Sequence, residues 1–273
     1  MKKEIYHQDL LKELNSVREK AVSSGDLKPV ATTLYVVEQG GIPYQIRLLN
    51  TPREKPSGFN AAFDATKARP NPFLPYEDAL YVGHLPTGHV ILLNKYSVVD
   101  DHFLIVTSEF KPQESLLSLS EFEALHYSMQ PTPLLVFFNS GRNAGASQPH
   151  CHLQGIPLTA DLPVTSALNS GLTLPFPHQI IHFKQLPTPS TLYSQYLSML
   201  ELCGLYSNSS DTKPRAHNLL VTPEWMMVVP RKKKHHSNTP INALGFAGLI
   251  LIKDEAQLAK IQQEGPTHLL ANV

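Results

Sequence analysis

The stretch NSGRNAGASQPHCHLQG, residues 139–155, concentrates the side chains with which this chain could do chemistry. In its second half His150, His152 and Gln154 alternate with Cys151 and Leu153. On a strand, three such polar side chains share one face. A neutral imidazole is a competent nucleophile toward phosphorus when its other ring nitrogen is held as a donor, typically by a backbone carbonyl. His152, the middle member, would sit between two polar neighbours that orient it and bind phosphate oxygens. A plain polar outer face of a half-buried strand gives the same alternation, and paired histidines also suggest zinc. Gln154 is a poor zinc ligand, however, and CxxC and HExxH patterns are absent. No metal is expected at this strand.

The first half of the stretch is a loop of small residues. Gly141, Gly145 and Ala146 leave room for a ligand, and the glycines can take positive φ. Ser140, Asn143, Ser147 and Gln148 add neutral donors, and Arg142 adds a forked cation. Such a loop can cradle phosphate oxygens with its backbone N–H groups. Polar glycine-rich turns are common between strands. What singles this one out is that it leads straight into the histidine strand.

The elements that must position these residues read as follows. Leu10, Leu14, Val17 and Ala21 mark an amphipathic helix stopped by Ser24-Gly25. TTLYVVE and IPYQIRLL read as strands turned by Gly40-Gly41, followed by a loop from about Thr51 to Pro75. LYVGHL, HVILLNKY and HFLIVTS are strands with short, antiparallel links. Ser118 and Glu121 form a capping box for a helix carrying Phe122, Leu125 and Met129. LLVFFNS and HCHLQGI are two more strands, and Thr188-Pro189 opens a helix running to about Gly204. HNLLVT and WMMVVP are late strands, with Trp225, Met226 and Met227 assigned to the core. RKKKHH, residues 231–236, reads as a solvated loop that could help recruit a polyphosphate tail, and the tail from Asn242 to Gly265-Pro266 reads as helical. Grouped rather than alternating elements predict an α+β fold on a mostly antiparallel sheet.

Composition narrows the class. The 273 residues hold 23 Lys plus Arg against 23 Asp plus Glu, so no global field draws the chain to nucleic acid or an anionic membrane. Thirteen histidines against two cysteines again direct attention to imidazole chemistry. No apolar run is long enough to span a membrane, and MKKEIYHQDL is too polar for a signal peptide, so a reducing cytoplasm is expected.

The segment GASQPHCHLQ resembles the histidine-triad superfamily, which carries His-x-His-x-Gln in its transferases. Two branches share that form, galactose-1-phosphate uridylyltransferases and diadenosine tetraphosphate phosphorylases (ATP adenylyltransferases). NSGRNAGASQPHCHLQ is similar to the second, as are ARPNPFLPYE, LLNKYSVVDDHFLIVTSEFKPQ, HNLLVTPEWMMVVPR and INALGFAGLILIK. The uridylyltransferase branch carries a zinc site on paired cysteines, which this chain lacks. The resemblance implies a single histidine-triad-like domain over residues 1–273. It implies that His152 attacks the α-phosphorus of the dinucleotide, that ATP departs, and that phosphate releases the adenylyl group as ADP, with AMP among the nucleotide ligands.

By the same resemblance His150 orients the nucleophile, Gln154 donates its amide to the α-phosphate, and Asn139 and Ser147 contact phosphate. Lys95 would lie over the polyphosphate, and Asn71, Pro72 and Phe73 near an adenine; from the residues alone, Lys95 is a strand-end surface lysine and Phe73 ordinary packing. His102 matches a family position without a chemical role readable from the residues. A divalent cation, Mg²⁺ or another, bound through the substrate polyphosphate rather than a protein cage, completes the expectation. A nucleotide-binding sensor without turnover and a dinucleotide hydrolase are the rival readings. The intact HxHxQ argues against the first, and Gln154 against the second.

Overall fold

A computed structural model describes residues 3–50, 71–130, 132–207 and 213–273. Most of the loop expected between Thr51 and Pro75, and the first residues of ARPNPFLPYE, lie outside the described residues.

The elements in chain order are α1 (Leu10–Ser24), β1 (Thr32–Gln39), β2 (Ile42–Leu49), β3 (Tyr81–His84), β4 (Val90–Leu93), β5 (Phe103–Val106), α2 (Leu119–Ser128), β6 (Leu134–Asn139) and β7 (His152–Pro157). They continue with α3 (Pro163–Asn169), β8 (Gln179–His182), α4 (Pro189–Leu202), β9 (His217–Val221), β10 (Trp225–Pro230), β11 (His235–His236), β12 (Thr239–Pro240), α5 (Ala243–Phe246), β13 (Leu249–Ile252), α6 (Glu255–Glu264) and α7 (Pro266–Ala271). The signals that set the boundaries are local. Gly25 takes a left-handed φ of 80° to close α1, the Ser118/Glu121 capping box opens α2, and Thr188 accepts from the Thr191 N–H at the start of α4.

An eight-stranded sheet in the order β3-β4-β5-β7-β6-β9-β10-β8 forms the centre. All its ladders are antiparallel. One face, with Phe103, Ile105, Val136, Phe138, Leu153 and Val228, packs under α1, α2 and α4 through Leu14, Phe122, Leu125, Leu192 and Tyr196. Alternate residues on the other face, among them Leu135, Phe137, Ile156, Leu220 and Met227, meet a second layer built on Tyr44, Ile46, Phe246, Ile250 and Ile261. Two covered faces explain why the central strands read as unbroken apolar runs rather than alternations. Trp225, Met226 and Met227 are core, as expected.

The second layer is a three-stranded sheet, β1-β2-β13, in which β13 joins β2 in parallel. Here the helical reading of the tail is corrected. A short α5 is followed by a strand, α6 reaches Glu264, and α7 continues through Pro266 rather than ending there. Ile250 and Ile252 are buried while Leu249 and Leu251 are not, an alternation too short to outweigh the surrounding helical pattern.

On the second face β4 and β5 meet not this layer but Phe73, which packs with Val90, Leu92, Leu104 and Val106. β7 lies beside β5, with His152 opposite Val106 and Gln154 opposite Leu104.

Candidate active site

The even-numbered side chains of β7 leave the sheet on the Phe73 side, while Cys151 and Leu153 enter the helix-covered core. The shared face expected for His150, His152 and Gln154 follows from this alternation.

His152 is 3% exposed, and its Nδ1 lies 2.8 Å from the His150 carbonyl oxygen. A carbonyl only accepts, so Nδ1 carries the proton and Nε2 keeps its lone pair. Burial pushes the His152 pKa down to about 4, against a smaller opposing effect of the His150 carbonyl. The ring is therefore neutral at physiological pH, with Nε2 unprotonated. His150 orients it through its main chain.

The His150 ring has a different task. Its Nε2 lies 2.9 Å from the Thr107 carbonyl and 3.1 Å from that of Glu109, so Nε2 is the protonated nitrogen. Nδ1 then accepts from Asn71 Nδ2 at 2.9 Å, while Asn71 Oδ1 accepts from the Phe73 N–H at 3.0 Å. The Phe73 ring centroid lies 5.3 Å from that of His152 and 5.6 Å from that of His150. Asn71 and Phe73, associated with an adenine in the sequence, thus touch the histidines directly.

His102, which had no readable role, gains one from a chain of hydrogen bonds. Tyr96 N donates to Asn94 Oδ1 at 3.4 Å, turning Asn94 Nδ2 toward His102 Nδ1 at 3.1 Å. His102 Nε2 then donates to Gln154 Oε1 at 2.9 Å. Burial lowers the His102 pKa to about 4, so the ring is neutral and this direction of donation is the only one available. With its oxygen taken, Gln154 presents its NH₂ group outward.

Gln113, unremarked in the sequence beyond its place in a matching block, is 2% exposed. Its Oε1 accepts from the His152 N–H at 2.8 Å, and its Nε2 donates to the carbonyls of Asn139 at 2.8 Å and His152 at 3.1 Å. It stitches the end of β6 to the start of β7 across the loop.

That loop is braced from beneath. Gly141 and Gly145 have φ of 84° and 96°, and a Cβ on either would run into Glu114 or the Ile241–Asn242 backbone. Asn139 Oδ1 accepts from Asn218 Nδ2 at 2.8 Å and from the Ala243 N–H at 2.9 Å, and Ser140 Oγ accepts from the His217 N–H at 2.9 Å. These two side chains hold the loop down. Asn143 and Ser147 are exposed, Gln148 is half-buried, and Ala146 is buried with its N–H on the Gly141 carbonyl.

Arg231 corrects the solvated reading of RKKKHH. It is 5% exposed and bonds Ala144 O at 3.2 Å, Asn218 Oδ1 at 2.6 Å, Lys233 O at 2.9 Å and Ile241 O at 3.1 Å. Burial lowers its pKa to about 10, which leaves it charged. No periodic signal marks such a residue, because its partners lie in segments of irregular spacing, from Lys233 two positions on to Ala144 far upstream.

Lys95 follows Asn94 at the end of β4. Its Nζ pairs with both Glu77 oxygens, at 2.8 and 2.6 Å, anchoring the segment that begins with Asn71.

Comparison with known proteins matches this architecture throughout. Residues 1–170 fit the Ap4A (diadenosine tetraphosphate) phosphorylase N-terminal domain, and residues 172–273 the ATP adenylyltransferase C-terminal domain. Diadenosine 5′,5‴-P1,P4-tetraphosphate phosphorylase 2 of Saccharomyces cerevisiae is 30% identical over 214 residues, 64% of this chain and 65% of that protein. Protein APA1 of the same yeast is 27% identical over 209 residues, 65% of each chain. The chain thus matches just under two thirds of the length of these curated relatives. The crystal structure of yeast Ap4A phosphorylase Apa2 in complex with Ap4A shares the fold, with a TM-score of 0.76 at 23% identity, covering 99% of this chain and 97% of that one. The complex of the same protein with AMP gives 0.74 at 25% identity with the same coverage. The two matched segments meet after α3 and contribute strands to both sheets, and together with a HxHxQ strand fixed as described they make the chain a member of the Ap4A phosphorylase family.

Proposed function

We propose that the chain is a nucleotidyltransferase that splits diadenosine tetraphosphate with phosphate into ATP and ADP, reversibly, through an adenylyl group carried on His152. The observation that supports this most is the neutral, buried His152 with Nδ1–H on a carbonyl and Nε2 left to attack. Nε2 bonds to the α-phosphorus as the bond to the bridging oxygen breaks and ATP leaves with that electron pair. Phosphate then attacks the same phosphorus, the P–N bond breaks, and ADP is released. The leaving oxygen needs no proton near neutral pH, so a non-titrating amide at Gln154 suffices to steady the α-phosphate. Lys95 exchanges Glu77 for polyphosphate oxygens as negative charge grows on the leaving group. The exposed side of the 141–148 loop, with Asn143, Ser147 and Gln148, meets the phosphates, while Asn139 and Ser140 hold it in place.

The loop carries amides, hydroxyls, backbone N–H groups and the Arg142 guanidinium, and the carboxylate beside Gly141, Glu114, is paired with Lys213. Such donors suit phosphate oxygens, so Mg²⁺ would enter with the substrate rather than in a protein cage. No helix among the described residues is long and apolar enough to cross a membrane. Two free cysteines, Cys151 and Cys203, accord with a cytoplasmic setting.

The deciding experiment incubates the protein with α-labelled dinucleotide in the absence of phosphate and maps the acid-labile adduct. Label on His152, discharged to ADP by added phosphate, is the expected result, with His152→Ala binding dinucleotide but not turning it over. Label on His150, or turnover by the Ala variant, overturns the assignment.

A further inference from the structure

A second cluster of imidazoles lies at the α6–α7 corner, on residues the reaction does not use. We propose that His236, Glu264 and His268 bind one divalent ion of the zinc type. One ligand-capable atom from each of the three lies within 4.8 Å of the other two. The His236 and His268 ring centroids are 5.2 Å apart at 75°, so the rings meet edge to face rather than stacking, a disposition that lets a nitrogen of each turn toward a common point. The ligands come from three elements. His236 ends β11, Glu264 ends α6, and His268 lies in α7. Glu264 and His268 face each other across the corner made by Gly265, at φ 86° and ψ 147°, and Pro266 at the start of α7.

A tetrahedral ion with bonds of about 2.1 Å holds its ligands roughly 3.4 Å apart. Closing the present spread to that distance requires about 1.4 Å of side-chain movement, within reach of rotations about χ angles. Two imidazoles and one carboxylate leave the fourth position to water. That ligand set suits Zn²⁺, Co²⁺ or Ni²⁺ and is a poor one for Mg²⁺ or Ca²⁺, which take oxygen. Lys260 is the competitor, with its Nζ 2.6 Å from Glu264 Oε1. Its side chain is 42% exposed, so it can turn out to water at little cost.

The bound ion would tie the β11–β12 hairpin to the last two helices. The hairpin's turn has positive φ at Ser237 and Asn238, and Gln257 Nε2 of α6 donates to the Asn238 carbonyl at 3.0 Å. A metal adds a second tie that does not involve any residue of the catalytic strand.

The test uses the full chain, stripped with a chelator and titrated with ZnCl₂ by calorimetry and by thermal unfolding. We expect one ion per chain and a rise in Tm that MgCl₂ at the same concentration does not give. His236→Ala, His268→Ala and Glu264→Gln each weaken binding by about tenfold or more, while the adjacent His235→Ala leaves it unchanged. Lys260→Met tightens binding because it removes the competitor, which a generally destabilised fold would not do. Absence of saturable binding overturns the proposal. So does zinc affinity that is the same in the wild type and in the His236 and His268 variants.

Discussion

Among the described residues the side chains that bond directly to the histidine strand are neutral: Asn71 on the His150 ring, His102 (held by Asn94) on Gln154, and Gln113 across β6 and β7. Beneath the loop, a buried guanidinium, Arg231, gathers carbonyls from Ala144, Lys233 and Ile241. The strand supports come from the first half of the chain and the loop support from the last fifth. Burial keeps the His152 ring uncharged without help from its neutral braces, whereas the loop rests on a rigid base. Acid separates His102 and His152 from Arg231, because it charges imidazoles and leaves a guanidinium unchanged.

Folded-state pKa values of about 4 for His102 and His152 lie below the 6.5 of an unperturbed imidazole. Between those values the unfolded chain binds more protons, so the stability these groups contribute is complete above about pH 6.5 and is lost as pH falls toward about 4. At pH 5 the loss is about 2 kcal/mol for each. Denaturant titrations from pH 7 to pH 5 should show it, and His102→Gln should flatten that slope. An unchanged slope would place the acid sensitivity elsewhere. Arg231→Met strands several buried acceptors and should cost about 3 kcal/mol in the same assay. It should leave the pH slope intact, and a flattened slope would mean the two supports are one.

The Asn94–His102–Gln154 chain should show in kinetics more than in stability. His102→Ala frees the Gln154 amide to rotate, lowering kcat on the order of 10–100-fold with little change in KM. His102→Gln should restore part of it, because an amide can reach the same oxygen. Asn94→Ala on top of His102→Ala should add little. Equal losses in kcat and binding, with no rescue, would reduce the chain to packing. The smallest effect on stability is expected at the Lys95–Glu77 pair. Their pair is partly exposed, so Glu77→Gln should change stability by at most about 1 kcal/mol. Lys95→Met should lower kcat more than it raises KM, and a change confined to KM would make Lys95 a ground-state contact.

The same division governs what could be read in advance. The alternation in HCHLQ, the glycines of the loop and the caps of α1, α2 and α4 are local patterns, and each appears where the sequence placed it. Gln113, Asn218 and Arg231 act through partners 26 to 87 positions away, or through loops whose shape depends on the rest of the fold. A lysine-rich string hides a buried arginine at its first position because charge composition does not reveal burial. The short α3, β8 and β13 carry too few turns or alternations to stand out, and tertiary contacts decide them.

The parallel ladder between β2 and β13 carries a further consequence for how the chain comes to be folded. Gln45 pairs with Leu249, so the edge of β2 has to wait for about two hundred further residues before its partner exists. At ordinary elongation rates that interval is roughly 10–40 s. Throughout it the β1–β2 hairpin, with Ile42, Tyr44 and Ile46 in sequence, lacks its neighbour strand and, until α3 is made, the helix that packs most closely on it. A strand edge in that condition is a template for pairing with another nascent chain. Ribosome-bound chains halted before residue 249 should therefore depend on chaperone binding to stay monomeric, and those halted well after it, with β13 clear of the exit tunnel, should depend on it less.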